Sequence, residues 1–353
     1  MQTKVALPAG SKRLGQEGPV FIVAEVSGNH NQSIANALKI IDVAADTGAD
    51  AVKLQTYTQD TMTINSDRPE FIIKSKNKSW RGKTLYELYG EAYTPWEWHK
   101  KLFAHARKRG LVCFSTPFDK TAVAFLETLG NPVYKVASFE VVDIPLLEAI
   151  GKTRKPVIMS RGMATLAELS LAIKTLKKFG TKDITLLQCI SAYPARSKDM
   201  HLANIPDLAK RFRVAAGLSD HTLNDDVAVA AVALGARVIE KHLTLRRSDG
   251  GPDASFSMEP KEFASLVKSI RATSEAVGKP SYSLSADEKE NTHFRKSLFA
   301  VADIKKGERF TAKNVRSIRP GNGMAPKHYR MVCTKRASRD LKRGEPLAMK
   351  HLR

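Results

Sequence analysis

The sequence contains no run of eighteen apolar residues, so no segment is expected to cross a membrane as a helix. Its three cysteines, Cys113, Cys189 and Cys333, are odd in number and lack CxxC spacing. That excludes a disulfide framework and a cysteine zinc site, and it fits a reducing cytoplasm. Each thiol is read as a small buried hydrophobe. Met1–Pro8 carries no apolar signal-peptide core, which again leads us to expect a cytoplasmic protein. No GxGxxG follows the first strand-like run, so the fingerprint of an open dinucleotide-binding sheet is missing. Acidic residues are scarce: 57 Lys and Arg face 36 Asp and Glu, a formal charge of +21. Such an excess suits nucleic acid, an anionic membrane or anionic small substrates. The basic residues, however, are scattered through helix-like stretches such as Lys174–Lys178, and are densest from Lys305 to Arg353. There is no helix-turn-helix, RNA-binding strand motif or long basic tail. Solvated cationic faces are the simpler account, and neither nucleic acid nor a membrane is expected as a partner.

What is present is an alternation. Short apolar runs begin at Val20, Asp50, Leu111, Val133, Pro156, Ile184, Val214 and Arg237, and they read as buried parallel strands. Between them lie helix patterns: Ile34–Thr47, Pro95–Gly110 with Thr94 as its cap, a helix after Asp119, and others near Pro145–Gly151, Leu166–Phe179, Pro206–Arg211, Asp226–Leu234 and Pro260–Val277. Eight strands each followed by a helix predict a (β/α)8 TIM barrel over residues 1–278. A long polar insertion, Tyr57–Thr94, separates the second strand from its helix, a place where sites are commonly built. Residues 279–292 are polar and read as a linker or extended arm. Residues 293–353 read as a small β-rich domain in which DIKKGE (Asp303–Glu308) is echoed by DLKRGE (Asp340–Glu345). About 60 residues is marginal for an independent core, so this domain is expected to dock on something.

In such a barrel the site gathers at the C-terminal ends of the strands. The strand ends here carry Glu25; Lys53 and Gln55; Thr116; Lys135 with Ser138 and Glu140; Ser160 followed by Arg161; Ser191 and Tyr193; Ser219 and His221; and Glu240-Lys241-His242. Inward lysines are costly to bury without anionic partners. Lys53 and Lys135, with the hydroxyls of Thr116, Ser138, Ser160 and Ser219, look like a cage for a molecule carrying phosphate and carboxylate; the alternative is that a lysine snorkels out or pairs with Glu25 or Glu140. His221 and His242, at matching ends of adjacent strands, could hold a divalent metal with positions open for water and substrate. Two histidines alone do not choose between manganese, magnesium, cobalt and zinc. Glu25 is the candidate general acid or base, ionised beside cations, unless it simply pairs with Lys53. Carboxylates at the strand ends are too few for a typical two-metal hydrolase.

At AEVSGNHNQS, VKLQTY, FSTPFD, YKVASFE, GLSDHT and IEKH, and again at GGPDASFSMEP and IRPGNG, the sequence resembles the sialic acid synthase family, in order and along nearly the whole chain. The resemblance implies that residues 293–353 are an antifreeze-like (SAF) lid domain, and that the protein is a domain-swapped homodimer. It implies condensation of phosphoenolpyruvate with an amino-sugar aldehyde, aided by a divalent metal on His221 and His242, with manganese first and magnesium or cobalt as alternatives. By the same correspondence Lys53, Gln55, Thr116, Lys135, Ser138, Ser160 and Ser219 would bind phosphoenolpyruvate. Glu25 would contact the reacting hydroxyl, Glu140 is a further catalytic candidate, and Tyr193, Asp253 and Arg319 of the other subunit's lid would hold the sugar. Within the family, NSDRPEFIIK (Asn65–Lys74) and LYELYGEAYTPWEWH (Leu85–His99) lean toward the pseudaminate-forming branch, whose acceptor is 2,4-diacetamido-2,4,6-trideoxy-altrose, rather than the neuraminate or legionaminate branches. That sugar calls for an apolar pocket, to which Tyr86, Tyr89, Tyr93, Trp96 and Trp98 could contribute unless they are core. Ser191 replaces an amide of neuraminate-specific members. Arg161 stands where the family usually has Thr; turned inward it would alter the phosphate pocket, turned outward it is a surface cation.

Overall fold

The computed structural model describes residues 18–75 and 79–353; Met1–Pro8 lies outside the described residues. The chain forms two compact units, Met1–Gly278 and Lys279–Arg353. In the first, eight parallel strands close into a barrel in sequence order: β1 (Phe21–Glu25), β2 (Ala51–Thr56), β3 (Val112–Pro117), β4 (Tyr134–Val136), β5 (Val157–Ser160), β6 (Ile184–Cys189), β7 (Ala215–Asp220) and β8 (Val238–His242). Every strand begins within one residue of its expected start. β8 closes on β1 with Glu25 opposite His242.

Strand residues alternate between two apolar layers. One parity, including Ile22, Ala24, Val52, Leu54, Met159 and Ile239, packs outward beneath the helices. The other, Phe21, Val23, Ala51, Phe114, Val133, Ile158, Leu187 and Val238, forms the inner plug. Continuing that inner parity one or two steps toward the C-terminal ends gives Glu25, Lys53 and Gln55, Thr116, Lys135, Ser160, Cys189, Ser219, then Glu240 and His242. The barrel is therefore apolar at its base and polar at its top. Gly217 serves the same layer: a Cβ there would sit 2.2 Å from the Val238 carbonyl and 2.8 Å from Leu187, so the plug has no room for a side chain on β7.

The helices begin where side chains can satisfy their first amide groups. Ser33 caps Ile34–Asp46, Asp119 caps Lys120–Thr128, and Thr165 with Glu168 forms a capping box on Leu166–Phe179. Thr94 was expected to cap the following helix, Trp96–Lys108, and does not. Pro95 occupies the cap position, while Thr94 Oγ1 pairs with His30 Nε2 at 3.2 Å inside the protein. The insertion holds two short helices, Gln59–Met62 and Leu85–Ala92, with an isolated bridge between Ile72 and Thr84.

In the second unit, the stretch expected as a linker contains a helix, Ala286–Asn291, started by a Ser285–Glu288 capping box. Beyond it β9 (Ser297–Ala300) pairs antiparallel with β10 (Val315–Ile318) over a core that includes Leu298, Ile304, Phe310, Val332, Leu341 and Leu347. The two echoed turns face each other reciprocally. Ile304 and Leu341 exchange both main-chain bonds, Asp303 accepts from Arg343 N, and Asp340 accepts from Lys306 N. The same constant offset relates Ala337 N→Glu308 O to Ala300 N→Glu345 O, and Phe310 N→Lys335 O to Leu347 N→Leu298 O. The faint sequence echo is thus a duplicated half-unit.

Candidate active site

The polar top of the barrel opens into a cavity of about 530 Å³. The strands deliver Lys53, Gln55, Lys135, Ser160, Cys189, Ser219, Glu240 and His242 to it; the loops beyond them add Ser27, Ser138, Glu140, Tyr193, His221, Asp253 and Phe256. The insertion supplies a further wall, mainly Tyr57, Met62, Ile73, Leu85, Leu88 and Tyr89, with Trp80. Most residues predicted for the site are therefore brought together. Thr116 and Glu25 are buried but do not line the cavity, and Arg319 belongs to the C-terminal unit. Arg161 is half-exposed and does not line the cavity either, so the outward alternative holds.

At the floor lies an alternating charge network. Lys53 Nζ is 2.6 Å from Glu25 Oε2 and 3.2 Å from Glu240 Oε1, and Lys135 Nζ is 3.8 Å from the same Glu240 oxygen. All four side chains are buried. Glu25, expected as the acid–base group, is thus committed to Lys53 and also accepts from Gln55 Nε2 at 3.2 Å. Burial pulls the Lys53 ammonium down to about 7, with Glu240 opposing. Burial works against the charge on Glu240 too, but Lys135 and Lys53 outweigh it and hold this carboxyl well below its ordinary range. Two cations share this region with two carboxylates, yet Ser160 Oγ and Thr116 Oγ1 are buried without hydrogen-bond partners. Of the two, Ser160 lines the cavity, and an orphaned buried hydroxyl there suits an anionic guest that brings its own acceptors.

Glu140 sits differently. It lines the cavity, its Oε2 is buried without a partner, and burial raises it to about 7. That is the value a proton-transfer group needs near neutrality. Asp253 is also raised by burial, although Ser27 Oγ and Gly28 N (3.2 Å) donate to it. Its loop is held from both sides: Asn31 Nδ2 donates to Gly250 O at 3.1 Å, and Trp80 Nε1 to Pro252 O at 2.7 Å.

His221 and His242 lie with ring centroids 5.3 Å apart. His221 Nδ1 donates to Ile190 O at 2.9 Å, an orientation that leaves its Nε2 as an acceptor. His242 Nδ1 is buried with no partner, and burial lowers both imidazoles so that they stay neutral. Neutral rings with unengaged nitrogens fit a divalent cation. No cluster of three or more His, Cys, Asp and Glu suited to a metal occurs among the described residues, so a cation here would complete its shell with water and substrate.

Sequence reasoning named Glu240 at its strand end without giving it a role, and missed Trp80. Strand alternation from His242 turns Glu240 inward; the intervening Lys241 points the other way, to Asp220 at 2.6 Å. Trp80 lies in a stretch without periodicity and gave no signal. Of the aromatic candidates, Tyr89 lines the cavity, whereas Trp96 stacks on Phe125 at 4.7 Å, Trp98 meets His30 edge-on at 5.6 Å, and Tyr86 donates to Asp60.

The fold and site define a (β/α)8-barrel enzyme that carries an appended SAF domain. The chain belongs to the NeuB family, whose model matches residues 40–282, while residues 295–353 match the SAF domain. It is 44% identical to a pseudaminic acid synthase of Campylobacter jejuni over 93% of this chain and 95% of that protein. An N,N'-diacetyllegionaminic acid synthase of the same organism is 37% identical over 92% and 98%. Among solved structures, an N-acetylneuraminic acid synthetase from Leptospira borgpetersenii superposes with a TM-score of 0.68 at 33% identity, over 78% of this chain and 90% of that one. The expected family and the barrel-plus-antifreeze-like architecture are borne out.

Proposed function

We propose that this chain condenses phosphoenolpyruvate with 2,4-diacetamido-2,4,6-trideoxy-altrose and water, giving pseudaminate and phosphate. The observation that carries this reading is one cavity holding two buried lysines, an orphaned serine hydroxyl and a pair of neutral imidazoles. The higher identity to the pseudaminic than to the legionaminic acid synthase supports the choice of acceptor.

In the reaction, C3 of phosphoenolpyruvate attacks the aldehyde carbon and water adds at C2. The C2–O bond to phosphate then breaks, leaving the 2-keto acid. Lys53 and Lys135 meet the anionic groups, and Ser138, Ser160 and Ser219 donate to their oxygens. Glu140, poised near neutrality, delivers a proton to the aldehyde oxygen as it becomes a hydroxyl. Glu25 and Glu240 keep the lysines placed and charged. Tyr193 and Asp253 orient the sugar. A divalent cation on His221 and His242, manganese in the first instance and magnesium or cobalt as alternatives, would polarise the aldehyde. A homodimer exchanging its C-terminal domains, with Arg319 supplied across it, completes the proposal and is checked by light scattering. The reaction is placed in the cytoplasm, in keeping with three unbridged cysteines; among the described residues no helix is long and apolar enough to cross a membrane.

The test is phosphate release from phosphoenolpyruvate with manganese, comparing the altrose sugar with N-acetylmannosamine and the legionaminate precursor. Release confined to the altrose sugar is the expected result. Preference for another sugar would move the product, and release without any acceptor would overturn the condensation.

A further inference from the structure

The strands and the insertion bring different chemistry to the same cavity. Strand ends contribute ammonium groups, carboxylates and hydroxyls. The insertion contributes mainly apolar side chains, Met62, Ile73, Leu85 and Leu88 with Tyr57 and Tyr89, and among the described residues Lys74 and Ser75 are its charged and hydroxyl-bearing aliphatic members. Trp80 adds to this apolar side, because its one polar atom, Nε1, is already engaged by Pro252 O at 2.7 Å. The ring is left with faces and edges only, packed 5.4 Å from Tyr193 and 6.2 Å from Phe256. Met62, Ile73 and Leu85 are half-buried without a ligand, so their apolar surface is open to whatever enters.

Phosphoenolpyruvate offers such a surface almost nothing, since both its ends are anionic and belong with the lysines. The acceptor proposed above has three methyl groups: two on its acetamido arms and one at C6. We propose that Met62, Ile73, Leu85 and the Trp80 ring form a methyl-recognising wall that selects acceptor aldoses lacking a C6 hydroxyl. A hydroxyl pressed against this wall loses its water and gains no partner there. An apolar pocket of this kind discriminates by roughly ten- to a hundredfold, not more.

This inference rests on the condensation reading, and the experiment separates the two. Phosphate release is measured with 2,4-diacetamido-2,4,6-trideoxy-altrose and with its 6-hydroxy counterpart, in the wild-type protein and in Leu85→Asn and Met62→Gln. The wild type is expected to favour the 6-deoxy sugar by at least about tenfold in kcat/KM. Each polar variant is expected to shrink that ratio several-fold while the KM for phosphoenolpyruvate stays put, and Met62→Leu is expected to keep it. Turnover with a ratio that the polar variants leave unchanged would overturn the wall and spare the reaction. No acceptor-dependent release with either sugar would overturn both.

Discussion

Along the eight strands, polar groups reach the cavity by a rule of the backbone: the inner parity that packs Ala51, Ile158 and Val238 into the plug must carry Lys53, Ser160 and Glu240 one step further on. The insertion obeys no such rule. Its wall comes from two short helices and a bridge, and it is fastened to the barrel loops by bonds such as Trp80 Nε1 to Pro252 O. The strand layer is buried, charged and interlocked; the insertion wall is apolar, half-buried and assembled from separate contacts. In the proposed reaction the condensation chemistry rests on the strand layer, while the choice of acceptor rests on an insertion that can vary without disturbing the barrel.

The sharpest way to break this contrast is at Lys53. Lys53→Met leaves Glu25 and Glu240 without their shared cation, and it should cost about 3–5 kcal/mol of stability together with nearly all turnover. Denaturant unfolding and phosphate release read the two effects, and a loss under about 1 kcal/mol would show that the strand layer is not interlocked. A gentler probe is Gly162→Ala. Gly162 has φ +50°, and a Cβ there would lie 2.2 Å from Ser138 Cβ. The displaced Ser138 should raise the KM for phosphoenolpyruvate about tenfold at a stability cost of roughly 1–3 kcal/mol.

Glu140 gives a pH-dependent test. Its carboxyl is raised to about 7 from an ordinary 4.5, so the folded state binds more protons than the unfolded state between those values. Stability contributed by the neutral form is complete below 4.5 and is lost as pH rises through 7. Relative to wild type, Glu140→Gln should therefore gain stability across that window, on the order of 2–3 kcal/mol, as followed by unfolding at a series of pH values. Parallel pH curves for the two proteins would remove the buried carboxyl from the account. The smallest effect is expected on the insertion side, where Trp80→Phe loses one hydrogen bond, about 1 kcal/mol. It should raise the acceptor's KM a few-fold and leave that of phosphoenolpyruvate alone; equal changes in both would join the two regions into one.

The same contrast explains what could be read from the sequence. Buried parallel strands are continuous apolar runs, so all eight starts were legible to within a residue, and with them the strand-end groups from Lys53 to His242. Glu25 was correctly placed with pairing to Lys53 as its alternative role, and the β1–β2 register that sets it opposite Lys53 decides for that pairing, at 2.6 Å. Glu240 was legible as a strand-end residue but not separated in role from Lys241, although period-two alternation turns the two to opposite faces. The helix at Ala286–Asn291 was passed over despite a visible capping box, Ser285 and Glu288, because the stretch has no apolar face. Trp80 could not have been read at all, since its position follows from loop closure against Pro252.

The doubled C-terminal unit has a further consequence. Its main-chain bonds run largely between the halves, with Ile304 completing Leu341 and Leu341 completing Ile304. Neither half owns a finished edge, so cutting away the segment around Asp340–Glu345 would strip partners from the segment around Asp303–Glu308 as surely as from itself. Such a module is inherited and lost whole: it can drift in surface sequence as two unequal copies, but it offers evolution no viable intermediate of half the length.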